Sequence, residues 1–284
     1  MLIYDVGMNN GDDTAFYLRH GFRVLGIEPN PALVATIRKR FSREIESGHL
    51  KILNVAVAEE ETEMPFWVCL TDDRLSTLNS ADAARSDAVR EIRVPCRKFR
   101  SILDEHGVPF FMKIDIQGND RQCIEALHRG ELPRFVSIEF LISDMCLLKL
   151  MRERGFTRFK LISQRDFLPL ELPFVREARK IQFIERLNQS RRLPLRAFRR
   201  LGGQRWINRR FARCRRSSDG WIFPLGSSGP FGNDLPGRWL DWEEICTTTQ
   251  AFLRLRAQDS RSLLWAPPGI PPNPFWLDLH ARSD

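Results

Sequence analysis

The sequence predicts an α/β fold in which helices cover both faces of a mostly parallel sheet. Three observations predict it. Short apolar strands alternate with helical stretches over the first 164 residues, and strands joined through helices run parallel and are covered on both sides. A glycine loop, "DVGMNNGDDT" over residues 5–14, joins the first strand to the first helix. Acidic residues stand at strand ends, at Glu28, Asp115 and Glu139, where open α/β sheets bind their ligands.

The elements follow in order. "LIYDVG" reads as strand one, and Asp13 to His20 as a helix stopped by Gly21. "FRVLGIE" is strand two. Asn30 is placed to cap the next helix, and Pro31 suits its first turn. "LKILNVAVA" reads as one continuous strand three. "MPFWVCL" and "IRVPC" are extra strands around a polar loop, Thr71 to Asp87. "PFFMKIDI" is strand four, followed by a helix from Asp120 to His128. "FVSIEF" is strand five, Leu147 to Arg154 a helix and "FTRFKLIS" strand six.

Beyond residue 164 the texture changes. From Arg176 to Arg216 there are 15 Lys and Arg against Glu177 and Glu185, a local charge of +13 in a chain of net charge +8. The basicity therefore belongs to one region and not to the fold. Ile181, Ile184 and Leu187 fall at helical spacing within it. A Gly-, Pro- and Trp-rich stretch follows, and then "DWEEICTTTQAFLRLRAQ". That segment opens with a capping-box pattern, Asp241 and Glu244, and reads as a helix. "APPGIPPNP" is a linker and "FWLDLHA" a last strand. These readings give a core over residues 1–164, an insertion over 165–273 and a final core strand over 274–284.

Composition narrows the function classes. No run of about 18 apolar residues is present, as a transmembrane helix requires. The six cysteines are scattered without metal-ligand spacing, and no signal pattern opens the chain. Together these suggest a reduced, cytoplasmic protein.

The glycine loop is not a dinucleotide fingerprint. It carries only Gly7 and Gly11, with Asn9 between them, and lacks the third glycine. Asp12 and Asp13 would repel a pyrophosphate. They either cap the helix and favour its positive end, or they accompany a ligand with no phosphate there. S-adenosylmethionine, with its ammonium, carboxylate and sulfonium, fits the second reading. Glu28, 17 positions after Gly11, is placed to accept both hydroxyls of a ribose.

Taken in order, "DVGMNNGDDT", "GIEPNP", "LNVAVAEEE", "FMKIDIQGND" and "VSIEF" resemble the FkbM family of class I S-adenosylmethionine-dependent methyltransferases. The resemblance spans residues 1 to about 164. It implies a Rossmann-like seven-stranded sheet whose last strand is antiparallel and comes from the C-terminal tail. It also implies methyl transfer, most often to a hydroxyl of a sugar or related product. By that resemblance Asp5, Gly7, Asn9, Gly11 and Thr14, with Asp12 beside them, form the methionine-side loop. Glu28 and Pro29 hold the ribose side, and Asn54 and Ala56 lie near the adenine. Ser76 and Thr77 match a small-hydroxyl motif that closes over the cofactor. One departure stands out: the family's first acid in "EG-E" is here Gln117.

A sugar hydroxyl is a weak acid, so a base must stand close as the methyl group transfers. Asp115, which is also expected to contact the cofactor, is the first candidate and Glu139 the second. His280, in the last strand, is a third. Lys113 shares a strand face with Asp115, as an ion-pair partner or a substrate contact. Asp115, Glu139 and His280 together would suit magnesium or manganese, but their spacing is not diagnostic and no metal is assigned. The expected acceptor is a hydroxyl on a glycan, a glycolipid precursor or a small molecule. Residues 176–216 suit an acidic acceptor or an anionic membrane surface better than a nucleic acid, for which no motif accompanies the charge. Two rival readings remain: an RNA ribose 2′-O-methyltransferase, and a cofactor-binding scaffold without turnover.

Overall fold

The structure is a computed structural model that describes residues 1–84, 88–141, 144–164, 167–172, 193–206, 215–260 and 276–284. It contains two compact units. The first comprises Met1–Ile138, Leu147–Phe156 and Arg282–Asp284, and the second Glu139–Cys146 and Thr157–Ala281.

In the first unit β1 (Leu2–Val6) leads through a loop into α1 (Asp12–Arg19). β2 (Arg23–Ile27) lies beside β1 and parallel to it. α2 (Pro31–Arg40) starts as the sequence predicts: the Asn30 side chain accepts a hydrogen bond from the Ala32 amide, with proline in the first turn. A short α3 (Ser42–Glu46) precedes β3 (Leu50–Leu53), which pairs parallel with β2.

The stretch "LKILNVAVA" is not one strand. It divides at Asn54, whose side-chain amide donates to the carbonyls of Glu28 and Pro29, both at 2.9 Å. That anchor ends β3 in the main sheet. The following β4 (Ala56–Val57) pairs with β6 (Val89–Arg97), which also pairs antiparallel with β5 (Glu63–Cys69). The two extra strands thus build a separate three-stranded sheet, ordered β4-β6-β5. Ala56, Ala58, Phe66, Val68, Val94 and Cys96 bury one face of it. The polar loop between β5 and β6 holds a 3₁₀ turn (Asp73–Leu75) and α4 (Ser80–Ala83).

After α5 (Phe99–His106), β7 (Phe111–Ile114) returns to the main sheet on the other side of β1. α6 spans Asp120–Glu125, shorter than the sequence predicts, and β8 (Phe135–Phe140) pairs parallel with β7. All four residues of β7 are buried, as a strand covered on both faces requires. Strand order reverses at β1, which has β2 on one side and β7 on the other. In open α/β sheets such a reversal marks where ligands bind, outside the carboxyl ends of the strands.

The second unit holds β9 (Arg158–Ser163), the short α8 (Leu193–Phe198), the long α9 (Trp242–Ser260) and most of β10 (Leu277–Arg282); α7 (Met145–Arg154) lies mainly in the first unit. The predicted capping box forms at the start of α9. The Glu244 amide donates to Asp241 Oδ1 at 2.9 Å, and the Asp241 amide to Glu244 Oε2 at 3.0 Å. Phe223, Leu235, Leu240, Ile245, Phe252, Leu277 and Leu279 form its buried interior. The seven-stranded sheet runs β3-β2-β1-β7-β8-β10-β9, mostly parallel with one antiparallel region. The C-terminal segment thus supplies the seventh strand, as predicted. The helical spacing at Ile181, Ile184 and Leu187 and the linker "APPGIPPNP" lie outside the described residues.

Candidate active site

The loop after β1 turns tightly because three of its residues take left-handed conformations: Gly7 at φ +78°, Asn9 at +48° and Gly11 at +80°. At Gly7 the turn also needs closeness. A Cβ there would lie 1.8 Å from the Asp115 carbonyl oxygen, so only glycine lets the two loops touch. The amides of Gly7 and Met8 both donate to the Ile27 carbonyl at 3.0 Å, which pins the loop onto β2.

Beneath this loop lies a buried charge cluster. Asp5 is fully buried in the middle of a strand, where an isolated carboxylate would be very costly. It is compensated twice. Thr14 Oγ1 donates to its Oδ2 at 2.6 Å, and Lys113 Nζ stands 3.2 Å from its Oδ1. Lys113 is the register partner of Asp5 across β1 and β7. Its ammonium also donates to the Gly7 carbonyl at 2.8 Å and lies 3.8 Å from Asp13. Burial works against the charge on Lys113, but Asp5, Asp115 and Asp13 outweigh it and raise its pKa. Lys113 is therefore an internal ion-pair partner that ties β7 to the loop.

The two helix-opening aspartates have different roles. Asp13 is buried and faces Lys113. Asp12 is on the rim, 2.9 Å from the Arg40 guanidinium, and it accepts from the Asn10 side chain at 2.9 Å. Neither caps α1 through its side chain, because Gly11 occupies the N-cap position.

Glu28, just past the end of β2, is 5% exposed. Its Oε2 accepts from the Asn9 amide and its Oε1 from the Asn30 amide, each at 2.9 Å. Burial nevertheless pushes its pKa up to about 7, against the pull of those amides and of Lys113. Each carboxylate oxygen has two lone pairs, so one on each remains for the hydroxyls of a ribose. A buried carboxylate with acceptor capacity to spare, on a loop with no phosphate cradle, fits an adenosyl group carrying a cationic sulfonium and ammonium.

The other predicted contacts divide. Asn54 fastens the end of β2 and Pro29 beside it. The Ala56 side chain lies in the small-sheet core, which leaves its backbone for any ligand. Ser76 Oγ accepts from the Cys69 amide at 3.1 Å. Its neighbour Thr77 makes the link across to the second loop: Thr77 Oγ1 donates to the Gln117 carbonyl at 2.9 Å.

That second loop follows β7. Asp115 is half-buried, and Gln117 Nε2 donates to its Oδ1 at 3.1 Å. Asp120 closes the loop by accepting from the amides of Ile116 at 2.9 Å and Gly118 at 3.0 Å, while burial raises its pKa. Asp120 is a site-building residue that sequence reasoning did not assign, and its place at the start of a predicted helix was its local signal.

The FkbM methyltransferase domain matches residues 5–157, over half of the chain and all of the loops just described. The chain belongs to the FkbM methyltransferase family. Membership makes it a methyltransferase with S-adenosylmethionine as its methyl donor. A comparison with curated protein sequences returned no match. Among solved structures, the chain is similar to a precorrin-6y C5,15-methyltransferase from Geobacter metallireducens, at 14% identity and TM-score 0.35, with 57% of this chain and 66% of that one covered. It is also similar to a TehB-like SAM-dependent methyltransferase from Corynebacterium glutamicum, at 11% identity and TM-score 0.33, with 57% and 68% covered. A third is phosphoethanolamine N-methyltransferase 2 of Haemonchus contortus in complex with S-adenosyl-L-methionine, at 9% identity and TM-score 0.37, with 100% and 48% covered. The chain thus spans about two thirds of the first two proteins and about half of the third.

The remaining candidates belong to the second unit. Glu139 is half-buried near the end of β8. His280 is 1% exposed in β10, and burial together with Lys160 pushes its pKa down to about 3. Such burial favours the neutral form of this imidazole. Among the described residues, no group of three or more His, Cys, Asp or Glu is gathered as a metal ion would need.

Proposed function

We propose that the protein is an O-methyltransferase acting on a hydroxyl of a sugar, glycan or glycolipid precursor, with Asp115 as the base. One observation carries this reading. Of the acids around the crevice, Asp5 and Asp13 share the Lys113 ammonium, Asp12 pairs with Arg40, and Asp120 is held by backbone amides. Asp115 is half-buried at the carboxyl end of β7, and a neutral amide donates to it. A carboxylate so placed can accept the proton of an attacking hydroxyl.

S-adenosylmethionine supplies a methyl group already activated on a sulfonium. The chain's residues bind and orient. The Gly7–Gly11 loop lines the methionine side, and Glu28 accepts from the ribose hydroxyls. Asp115 takes the acceptor's proton as its oxygen gains positive character. Much of the rate comes from positioning, worth up to about 7–11 kcal/mol in ideal cases. Glu139 is the second candidate for the proton.

The test is transfer of labelled methyl from S-adenosylmethionine to a panel of hydroxylated glycans and lipid-linked sugars, with ribose-containing RNA as the rival acceptor. Label in the sugar hydroxyls supports the proposal, and label confined to RNA replaces it. Calorimetry should show S-adenosylmethionine binding and no NAD binding.

The basic segment extends the reading to an acidic acceptor or an anionic membrane surface. Among its described residues, the stretch 193–206 exposes Leu193 and Leu201 as well as Arg196, Arg200 and Arg205. No helix among the described residues is long and apolar enough to cross a membrane. Deleting residues 176–216 should leave cofactor affinity intact and abolish a salt-sensitive attachment to anionic vesicles. Attachment that persists at 1 M salt, where screening shortens to about 3 Å, would show that charge is not what binds.

A further inference from the structure

Gln117 has a side chain yet occupies the left-handed region, at φ +50°. That conformation is unfavourable for such a residue and persists only where its surroundings impose it. Here they do so from both sides. Thr77, 1% exposed, donates to the Gln117 carbonyl at 2.9 Å and accepts from the Asn79 amide at 2.9 Å. Asp120 holds the amides of Ile116 and Gly118, one on each side of Gln117. The result is a backbone held in place at Gln117, whose side-chain amide donates to Asp115 Oδ1 at 3.1 Å.

We propose that Gln117, locked by Thr77, is a positioning residue that orients the Asp115 carboxylate and keeps a second negative charge away from it. This rests on the reading of Asp115 as the base. A glutamate of the same shape at position 117 would set two carboxylates about 3 Å apart, and such a pair does not ionise fully together. The shared proton could sit on Asp115, which could then accept no other until the pH rose. The amide gives the same geometry without that conflict. The other charges acting on Asp115 are Lys113 on its own strand, Arg74 in the 3₁₀ turn and Asp120 at the start of α6. Arg74 is itself paired with Asp72, at 2.8 and 2.7 Å.

The experiment has two independent readouts. The first is carbon NMR of side-chain carboxyls in cofactor-free protein, with the Asp115 signal assigned by its loss in Asp115→Asn. In Gln117→Glu that signal should titrate at least about one pH unit higher, or in two coupled steps. A curve superimposable on that of the native protein overturns the proposal. The second readout is turnover against pH. The acid limb of Gln117→Glu should move upward with the NMR titration. Gln117→Gly removes the amide but suits the left-handed backbone. It should melt no lower than the native protein and turn over at least several-fold more slowly. Native turnover in Gln117→Gly overturns the positioning role. A displaced Asp115 titration with an unmoved acid limb upholds the Gln117–Asp115 pairing and removes Asp115 as the base.

Discussion

The loops after β1 and β7 are built alike and behave differently. Each places a non-glycine residue in the left-handed region, Asn9 at φ +48° and Gln117 at +50°, and each carries a left-handed glycine one or two residues later. Each also groups carboxylates at a strand end. In the first loop the interior acids face an ammonium, because Lys113 stands against both Asp5 and Asp13, and Thr14 also donates to Asp5. In the second loop Asp115 accepts from a neutral amide. The comparison teaches that acids on neighbouring strands take on different environments according to their partners. Asp5 and Asp13 face a buried ammonium, whereas the half-buried Asp115 accepts from a neutral amide, the contrast on which its proposed role as base rests.

The largest expected effect breaks the reactive side. Asp115→Asn keeps the shape and should lower turnover by about 10²–10⁴, the usual contribution of a general base. Cofactor affinity should change little. Glu139→Gln is the comparison, and the larger loss of turnover identifies the base. Full turnover in both variants would end the carboxylate mechanism.

The next effect breaks the structural side. Lys113→Met leaves Asp5 and Asp13 buried without their cation. Removing one partner of a buried ion pair costs about 3–5 kcal/mol, read as a lower denaturant midpoint. If Lys113 contacted substrate instead, stability would hold and only turnover would fall.

A smaller effect concerns Glu28, which stands between the two cases. Glu28→Ala should weaken S-adenosylmethionine binding by about 1.5–3 kcal/mol, the range for hydrogen bonds to a charged group. Its pH dependence has a definite sign. The carboxyl's pKa is raised from 4.5 to about 7 on folding, so between these values the folded chain holds a proton that the unfolded chain has released. From this group, the stability of cofactor-free protein should fall as pH rises through that window and level off above about 7. Binding that requires the anion runs the other way, so cofactor affinity should weaken as pH drops below about 7. Calorimetry across pH checks this, and Glu28→Gln should flatten the profile.

The sequence alone determined the elements and their order. Apolar runs of strand length between helical stretches dictate a parallel sheet, whatever the distant contacts. The left-handed turn of the first loop was visible in Gly7 and Gly11, and the Asn30 cap and the Asp241–Glu244 capping box in local spacing, because each depends on residues close along the chain. Tertiary structure alone decided what depends on residues far apart. Asn54 divides an apparently continuous strand by reaching residues 25 and 26 positions earlier. Lys113 compensates Asp5 because two strands separated by about a hundred residues align in register. Thr77 locks Gln117 from 40 residues away. His280 reads as a candidate base in sequence, and only the fold shows that it is buried, which lowers its pKa. A carboxylate's role follows from its desolvation and its partners, and neither exists until the chain has folded.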